Sequence, residues 1–309
     1  MVFWTAGGSC ARSAVPPQPP PAPGIATDVA YLSSPKLDGR ATGTAGGDSA
    51  AVYIARQYEH LRLPGIIRAE CKAPPECAMT YFQFFKIDGS VGQNIVVLIP
   101  GVDSSLRNQY VVVGAHYDHL GHSPRGALDP EAGARLRPGA DDNASGTAAL
   151  LELARRFAAH PLRRSILIVH FDAEELGLVG SGVFVDHSPV PRESIILMVN
   201  FDMVGRMRDK QLIADVSSTG DATRALVDSA ASATGVHVRF SSETAGRTDD
   251  TRFKRVGIPT ISLFTGFHGD YHRATDVASR INVAGIEWVV DVAEAVVRAA
   301  ANKTAQPRS

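Results

Sequence analysis

Acid and imidazole side chains recur in this chain just past apolar runs. His116 and Asp118 follow residues 110–115, Glu174 and Glu175 follow 165–171, Asp202 follows 194–201, and His272 comes shortly after 260–264. Between the first two groups lies Gly139-Ala140-Asp141-Asp142-Asn143-Ala144-Ser145-Gly146, which sets two adjacent carboxylates directly before a segment of helical apolar period, 147–159. Asp, Asn and Ser suit a helix N-terminus, but capping does not account for the acids and imidazoles at the other strand ends. Carboxylates and imidazoles without cysteine suit zinc, cobalt or manganese, whereas carboxylates alone would suit magnesium or calcium.

A single carboxylate can bridge two cations about 3.5–4 Å apart that share a water. Asp141 is expected as that bridge, because it opens the helix after a glycine that permits an unusual backbone path. His116 and Asp202 then complete one ion, and Glu175 and His272 the other. Glu174, next to a ligand, is left free as a general base, able to take a proton from water and return it to a leaving amine. Asp118 is close enough in sequence to His116 to orient its imidazole. His119, His122, His170 and Asp142 compete as ligands. His170 lies inside an apolar strand and reads as a core residue, His119 and His122 either reach the site or line it, and Asp142 reads as shaping the turn. Taken together, the pattern is that of a metal-dependent hydrolase.

The elements that must position these groups alternate. Strands are expected at 79–87, 93–99, 110–115, 165–171, 194–201, 236–240 and 260–264; helices at 49–61, 147–159, 178–186, 221–234, 248–256 and 281–301. Residues 28–48 are expected as loop, and the glycine-rich stretch 37–46 lacks the Gly-Lys-Ser/Thr ending of a phosphate cradle. Such alternation implies a three-layer α/β fold, a largely parallel mixed sheet with helices on both faces. Ligands in such sheets gather beyond the carboxyl ends of the strands, where the acids and imidazoles lie.

The 309 residues include 31 basic and 32 acidic side chains, for a formal net charge of -1, without a long basic run. That balance gives no support to nucleic acid or an anionic membrane as partner, and no stretch is apolar for long enough to span a bilayer. Residues 1–25 are expected as a disordered, proline-rich leader or tether, and 26–309 as a single α/β domain. The lead is too short and lacks the basic start of a secretory signal. Ala6-Gly7-Gly8-Ser9-Cys10 has the look of a lipoprotein cleavage site, with Cys10 as a lipid carrier; an incidental cysteine in a tail is the alternative. Cys71 and Cys77 enclose a short turn-rich loop that either closes as a disulfide or holds two free thiols. An even pair fits an extracytoplasmic location, periplasmic or secreted.

At this point the motifs resemble a known family. His116-Tyr117-Asp118-His119-Leu120-Gly121, the Gly139–Gly146 stretch, Ala173-Glu174-Glu175-Leu176-Gly177-Leu178-Val179-Gly180-Ser181, Asn200-Phe201-Asp202-Met203 and Tyr271-His272 are similar, in order and spacing, to the secreted bacterial di-zinc aminopeptidases. Glutamate carboxypeptidase and glutaminyl cyclase belong to the same metallopeptidase family. The resemblance implies two zinc ions on His116, Asp141, Glu175, Asp202 and His272, with Glu174 as base. It also implies that Tyr271 helps to stabilise the tetrahedral intermediate. The chain departs from the family at Thr248-Asp249-Asp250, where a Ser-Asp-His segment is common. The implied activity is removal of N-terminal residues from peptides with a free N-terminus. A carboxypeptidase or dipeptidase of the same family is the nearest alternative. A two-metal phosphoesterase would use similar ligands, and an inactive binding homologue should have lost ligands or the base.

Overall fold

The computed structural model describes residues 24–68 and 78–303. Cys10, Cys71 and Cys77 lie outside the described residues, and with them the expected lipid carrier and disulfide. The strands are β1 (Ile67–Arg68), β2 (Met79–Thr80), β3 (Phe82–Ile87), β4 (Ser90–Ile99), β5 (Tyr110–His116), β6 (Ser165–Phe171), β7 (Ile195–Phe201), β8 (Gln211–Asp215), β9 (His237–Phe240) and β10 (Thr260–Phe264). The α-helices are α1 (Ile25–Leu32), α2 (Ala45–His60), α3 (Gly146–Ala159), α4 (Val179–Asp186), α5 (Asp221–Ala233), α6 (Asp250–Arg255) and α7 (Val283–Asn302).

Eight strands form one mixed sheet in the order β3-β4-β6-β5-β7-β10-β8-β9, and β1 and β2 pair separately. At its centre β6, β5, β7 and β10 run parallel, while β4 and β8 join from either side antiparallel. Parallel strands covered on both faces read as continuous apolar runs, and β6 is buried along its whole length. Successive side chains alternate between two cores. Ile166 and Ile168 of β6 and Val111 and Val113 of β5 join the helices α1, α2, α3, α5 and α7. Leu167, Val169 and Phe171, with Val112, meet Phe184 of α4 and Phe253 of α6 on the other face. The layers are therefore helix, sheet, helix, as the alternating pattern predicts.

Three of these elements were not expected: α1, the two-residue β1 and β8. α1 occupies a stretch read as loop, although its buried Ile25, Val29 and Leu32 stand at helical spacing. β8 is a five-residue strand between antiparallel β10 and parallel β9, and its apolar run, Leu212 to Ala214, is only three residues long. No helix among the described residues is long and apolar enough to cross a membrane.

Candidate metal centre

His116 ends β5, Glu174 and Glu175 follow β6, and Asp202 follows β7, so three neighbouring strands deliver their groups to one edge. His116 Nδ1 lies 3.1 Å from the carbonyl of Asp118. A carbonyl only accepts, so Nδ1 carries a proton and Nε2 is the nitrogen turned toward the carboxylates. That Nε2 is 3.3 Å from Asp142 Oδ1 and 3.6 Å from Asp202 Oδ1. His272 is turned in the same way: its Nδ1 lies 2.8 Å from the Gly126 carbonyl. Its Nε2 is then 3.1 Å from Asp142 Oδ2 and 3.2 Å from Glu175 Oε2.

The carboxylate between the two imidazoles is thus that of Asp142, not the expected Asp141. Asp141 is fully buried and its oxygens are already engaged: Oδ1 accepts from the Gly205 amide at 2.6 Å and Ser145 Oγ at 3.0 Å, and Oδ2 lies 3.0 Å from His268 Nε2. The turn explains the exchange. Gly139 has φ +59°, and a Cβ there would lie 2.1 Å from the Asp142 carbonyl oxygen and 2.5 Å from His119. The amides of Asp141 and Asp142 then both donate to Asp276 Oδ2, at 2.9 and 3.1 Å. Asn143 ties the turn to the end of β7, donating to the Phe201 carbonyl and accepting from the Met203 amide. With the backbone pinned on both sides, Asp141 turns into the fold and Asp142 turns outward.

Of the five expected ligands, four converge: His116, Glu175, Asp202 and His272. Asp142 and His119 join them. His119, read from the sequence as a competitor, has Nδ1 2.9 Å from Glu175 Oε1 and 3.8 Å from Asp142 Oδ2. Neither of its ring nitrogens is aligned for a hydrogen bond, nor is Glu175 Oε1, although all three atoms are buried. Buried polar atoms without partners cost free energy, and here they point at one another. Two donor groups sharing Asp142 fall within ligating reach of a cation: His116, Asp142 and Asp202, and His119, Asp142 and Glu175. Nitrogen and oxygen donors in these groups fit a divalent transition metal. His122 lies elsewhere, exposed and 2.7 Å from Asp38. His170 is a core residue, 2.6 Å from the Tyr58 hydroxyl, and burial pushes its imidazole down to about 3.

The electrostatics follow from this crowding. Burial alone would raise the Asp142 carboxyl, but His116, His272 and His119 outweigh it and hold it well below the usual carboxylate range. Burial works against charge on His272, and Asp142 and Glu175 overcome it, pushing the imidazole up to about 11. Burial pushes Glu174 well above its ordinary value; the nearby charge of His116 opposes this, and Glu175, Asp249 and Asp202 add to it. Asp249, in the segment that departs from the family, is itself buried and pushed up to about 7 by burial.

Asp118 does more than face His116. Its Oδ1, 3.5 Å from His116 Nδ1, accepts from the Glu174 amide at 3.0 Å, and Oδ2 accepts from the Glu175 amide at 3.3 Å. Ala173, Met203 and His272 all have positive φ beside the cluster, an uncommon setting for non-glycine residues that concentrates at functional sites. Arg40, in the glycine-rich stretch, was not singled out. Its buried guanidinium donates to the carbonyls of Leu32, Tyr117, Pro138 and Gly139 at 2.6 to 2.9 Å, clamping the backbone on either side of His119 and the turn. A lone arginine among glycines carries no periodic signal.

The cluster opens into a small cavity lined on one side by His116, Asp142, Glu174, Asp202 and His272. The other side is formed by Met203, Thr244, Arg247, Phe264, Phe267 and Tyr271. A larger cavity of about 360 Å³ lies beyond Phe267, lined by Arg206, Arg239 and His268 but by none of the clustered carboxylates.

Comparison with known proteins identifies the family. Leupeptin-inactivating enzyme 1 of Streptomyces exfoliatus is 30% identical over 204 residues, 65% of this chain and 42% of that protein. Aminopeptidase YwaD of Bacillus subtilis is 29% identical over 209 residues, 64% of this chain and 43% of that protein. The chain spans less than half the length of these two curated relatives. The structure of BSAP, described as a zinc aminopeptidase from Bacillus subtilis, shares the fold, with a TM-score of 0.71 over 93% of this chain and 97% of that one at 19% identity. The profile of peptidase family M28 matches residues 94–297, a span that runs from β4 through His116, the Asp141-Asp142 turn and His272 into α7. On that match, the chain belongs to peptidase family M28.

Proposed function

We propose that this protein is a zinc-dependent aminopeptidase that removes N-terminal residues from peptides. The observation that carries the reading is the pair of donor groups sharing Asp142, with Glu174 lining the same cavity. His116 and Asp202 would hold one zinc, Glu175 and His272 the other, and Asp142 would bridge them in place of Asp141. His119 stands close enough to Glu175 to steady it or to join the second ion. Zinc bound there would supply Lewis acidity, acidifying a water and polarising the scissile carbonyl. Names of relatives support the metal and the reaction: one is an aminopeptidase and one structural neighbour a zinc aminopeptidase.

The residues of this chain divide the remaining work. Among the described residues Glu174 makes no hydrogen bond that would occupy its carboxylate, and its burial favours holding a proton. It takes the proton from the attacking water and returns it to the leaving amine. Asp118 holds the Glu174 and Glu175 amides and faces His116, so one carboxylate sets both the base and an imidazole. Tyr271 lines the cavity, and its hydroxyl is proposed to donate to the oxyanion as it forms. The proton held on His272 must leave when a cation is taken up, so loading is expected to weaken as pH falls. An extracytoplasmic location is proposed from the even pair Cys71 and Cys77, to be checked by cell fractionation.

The experiment is hydrolysis of a panel of amino-acid p-nitroanilides by enzyme that is untreated, chelated and zinc-restored. Activity lost to the chelator and regained with zinc is expected. Turnover of N-blocked, C-terminally free peptides alone would replace this reading with the carboxypeptidase. Turnover of a phosphate ester alone would replace it with the phosphoesterase.

A further inference from the structure

The cavity has a charged group that the reaction above does not use. Met203 and Phe264 form a buried apolar floor, and Tyr271 packs against it. Phe267, which is 47% exposed, stands edge-on to Phe264 with ring centroids 4.9 Å apart and to Tyr271 at 5.3 Å. The Arg247 guanidinium lies over the outer face of this stack, 5.6 Å from the Phe267 ring centroid. It has no hydrogen bond or ion pair among the described residues, whereas Arg206 and Arg239 in the neighbouring cavity are matched to Asp270 and Glu243. Arg247 is exposed, yet its guanidinium lies over an aromatic ring and it lines the same small cavity as Glu174 and His272.

We infer that Arg247 binds a substrate carboxylate, so that the preferred substrates carry a negative charge one or two residues beyond the cleaved bond. The inference rests on the aminopeptidase reading and extends it to substrate class. A planar guanidinium fork matches a carboxylate with two parallel hydrogen bonds. A peptide offers only two kinds of carboxylate, its C-terminus and its acidic side chains. An extended chain advances at most ~3.6 Å per residue, so in a cavity this small either kind reaches the mouth only when it lies close to the scissile bond. The apolar floor meanwhile suits an aliphatic N-terminal side chain, and the lining residues from the same segment as Arg247, Thr244 and Thr248, carry no charge to oppose an anion.

The test compares kcat/KM for leucylglycine, leucylglycinamide and leucylglutamic acid α-amide, whose side-chain carboxylate is free, in the wild type, Arg247→Ala and Arg247→Lys. The wild type is expected to favour at least one carboxylate-bearing substrate over leucylglycinamide by about tenfold, chiefly through KM, the size of one charge-assisted contact. Arg247→Ala is expected to remove that preference and Arg247→Lys to keep part of it. Preference for leucylglycine identifies the C-terminal carboxylate, and preference for the glutamyl α-amide identifies an acidic side chain. Equal turnover of all three by the wild type, or a preference that survives in Arg247→Ala, overturns the inference. Leucine p-nitroanilide, which has no carboxylate, tests the underlying reading separately: if the wild type cleaves it while showing no preference, the aminopeptidase stands and the role of Arg247 falls.

Discussion

The two walls of the cavity are built differently. On one, His116, Glu174 and Asp202 stand at the ends of the parallel strands β5, β6 and β7, with Asp118 behind them accepting from the Glu174 amide and facing His116. On the other, Thr244, Arg247 and Phe267 come from the connections after β9 and β10, and Arg247 and Phe267 are exposed. The first wall has little freedom, because each donor is held by a network that also holds its neighbours. The second is set by a few ring contacts. Chemistry is thus placed where the sheet enforces geometry, and recognition where side chains can change without disturbing it.

The sharpest way to break that contrast is to exchange the fates of two adjacent residues. Asp142→Asn is expected to abolish metal uptake and peptidase activity while leaving the thermal midpoint near that of the apo protein. Asp141→Asn is expected instead to cost ~1–3 kcal/mol of stability, as buried hydrogen bonds to a charged group are weakened. Metal analysis, peptidase assay and urea melts of the two variants read the difference; similar losses of metal in both would show that Asp141 is not merely structural. Glu174→Gln is expected to lower kcat by ~10²–10⁴ with metal content kept, and a variant that retains near-full kcat would remove Glu174 as the base.

Smaller effects probe how rigid the first wall is. Arg40→Met leaves four carbonyls without their shared donor, so urea unfolding should show a loss of ~3 kcal/mol or more. Were the loss under ~1 kcal/mol, the clamp would not be what fixes the turn. For Tyr271→Phe, kcat is expected to fall by roughly tenfold at nearly constant KM, as one donor to a developing oxyanion is lost; a change confined to KM would make the phenol a packing group.

The smallest effect lies away from the site. Lys254 pairs with Asp215 at 2.8 Å, joining α6 to β8. Burial raises the Asp215 carboxyl, but Lys254 and Ser217 outweigh it and hold it below its ordinary value. A carboxyl depressed on folding stabilises the native state above its unfolded pKa, and that contribution fades as pH falls through the folded value. Lys254→Met should therefore cost ~1 kcal/mol near neutrality and progressively less below the ordinary carboxylate pKa of about 4. Denaturant melts across that range check the sign.

Much of the positioning scaffold was legible beforehand because its signals are local. Apolar runs mark β5, β6, β7 and β10, and the groups that follow them are the groups that converge. α1 was missed although its buried residues have helical spacing, because the stretch is short and was read with the glycine-rich loop after it. Arg40, Asp276 and His268 carry no comparable mark. Each acts on backbone or side chains far away in the chain, Arg40 on Gly139 and Asp276 on Asp141, and such partners appear only when the chain is folded.

Sequence alone was enough to say that acids and imidazoles lie beyond the carboxyl ends of a parallel sheet, because strand period and chain order decide that. Which of two adjacent aspartates faces the cavity was beyond it. Successive residues in an irregular turn point in directions set by the backbone, and this backbone is held by Asp276, Asn143, Arg40 and the close approach at Gly139. Those contacts span up to 135 positions along the chain. Only the folded structure could turn Asp141 inward to Gly205 and His268 and leave Asp142 between His116 and His272.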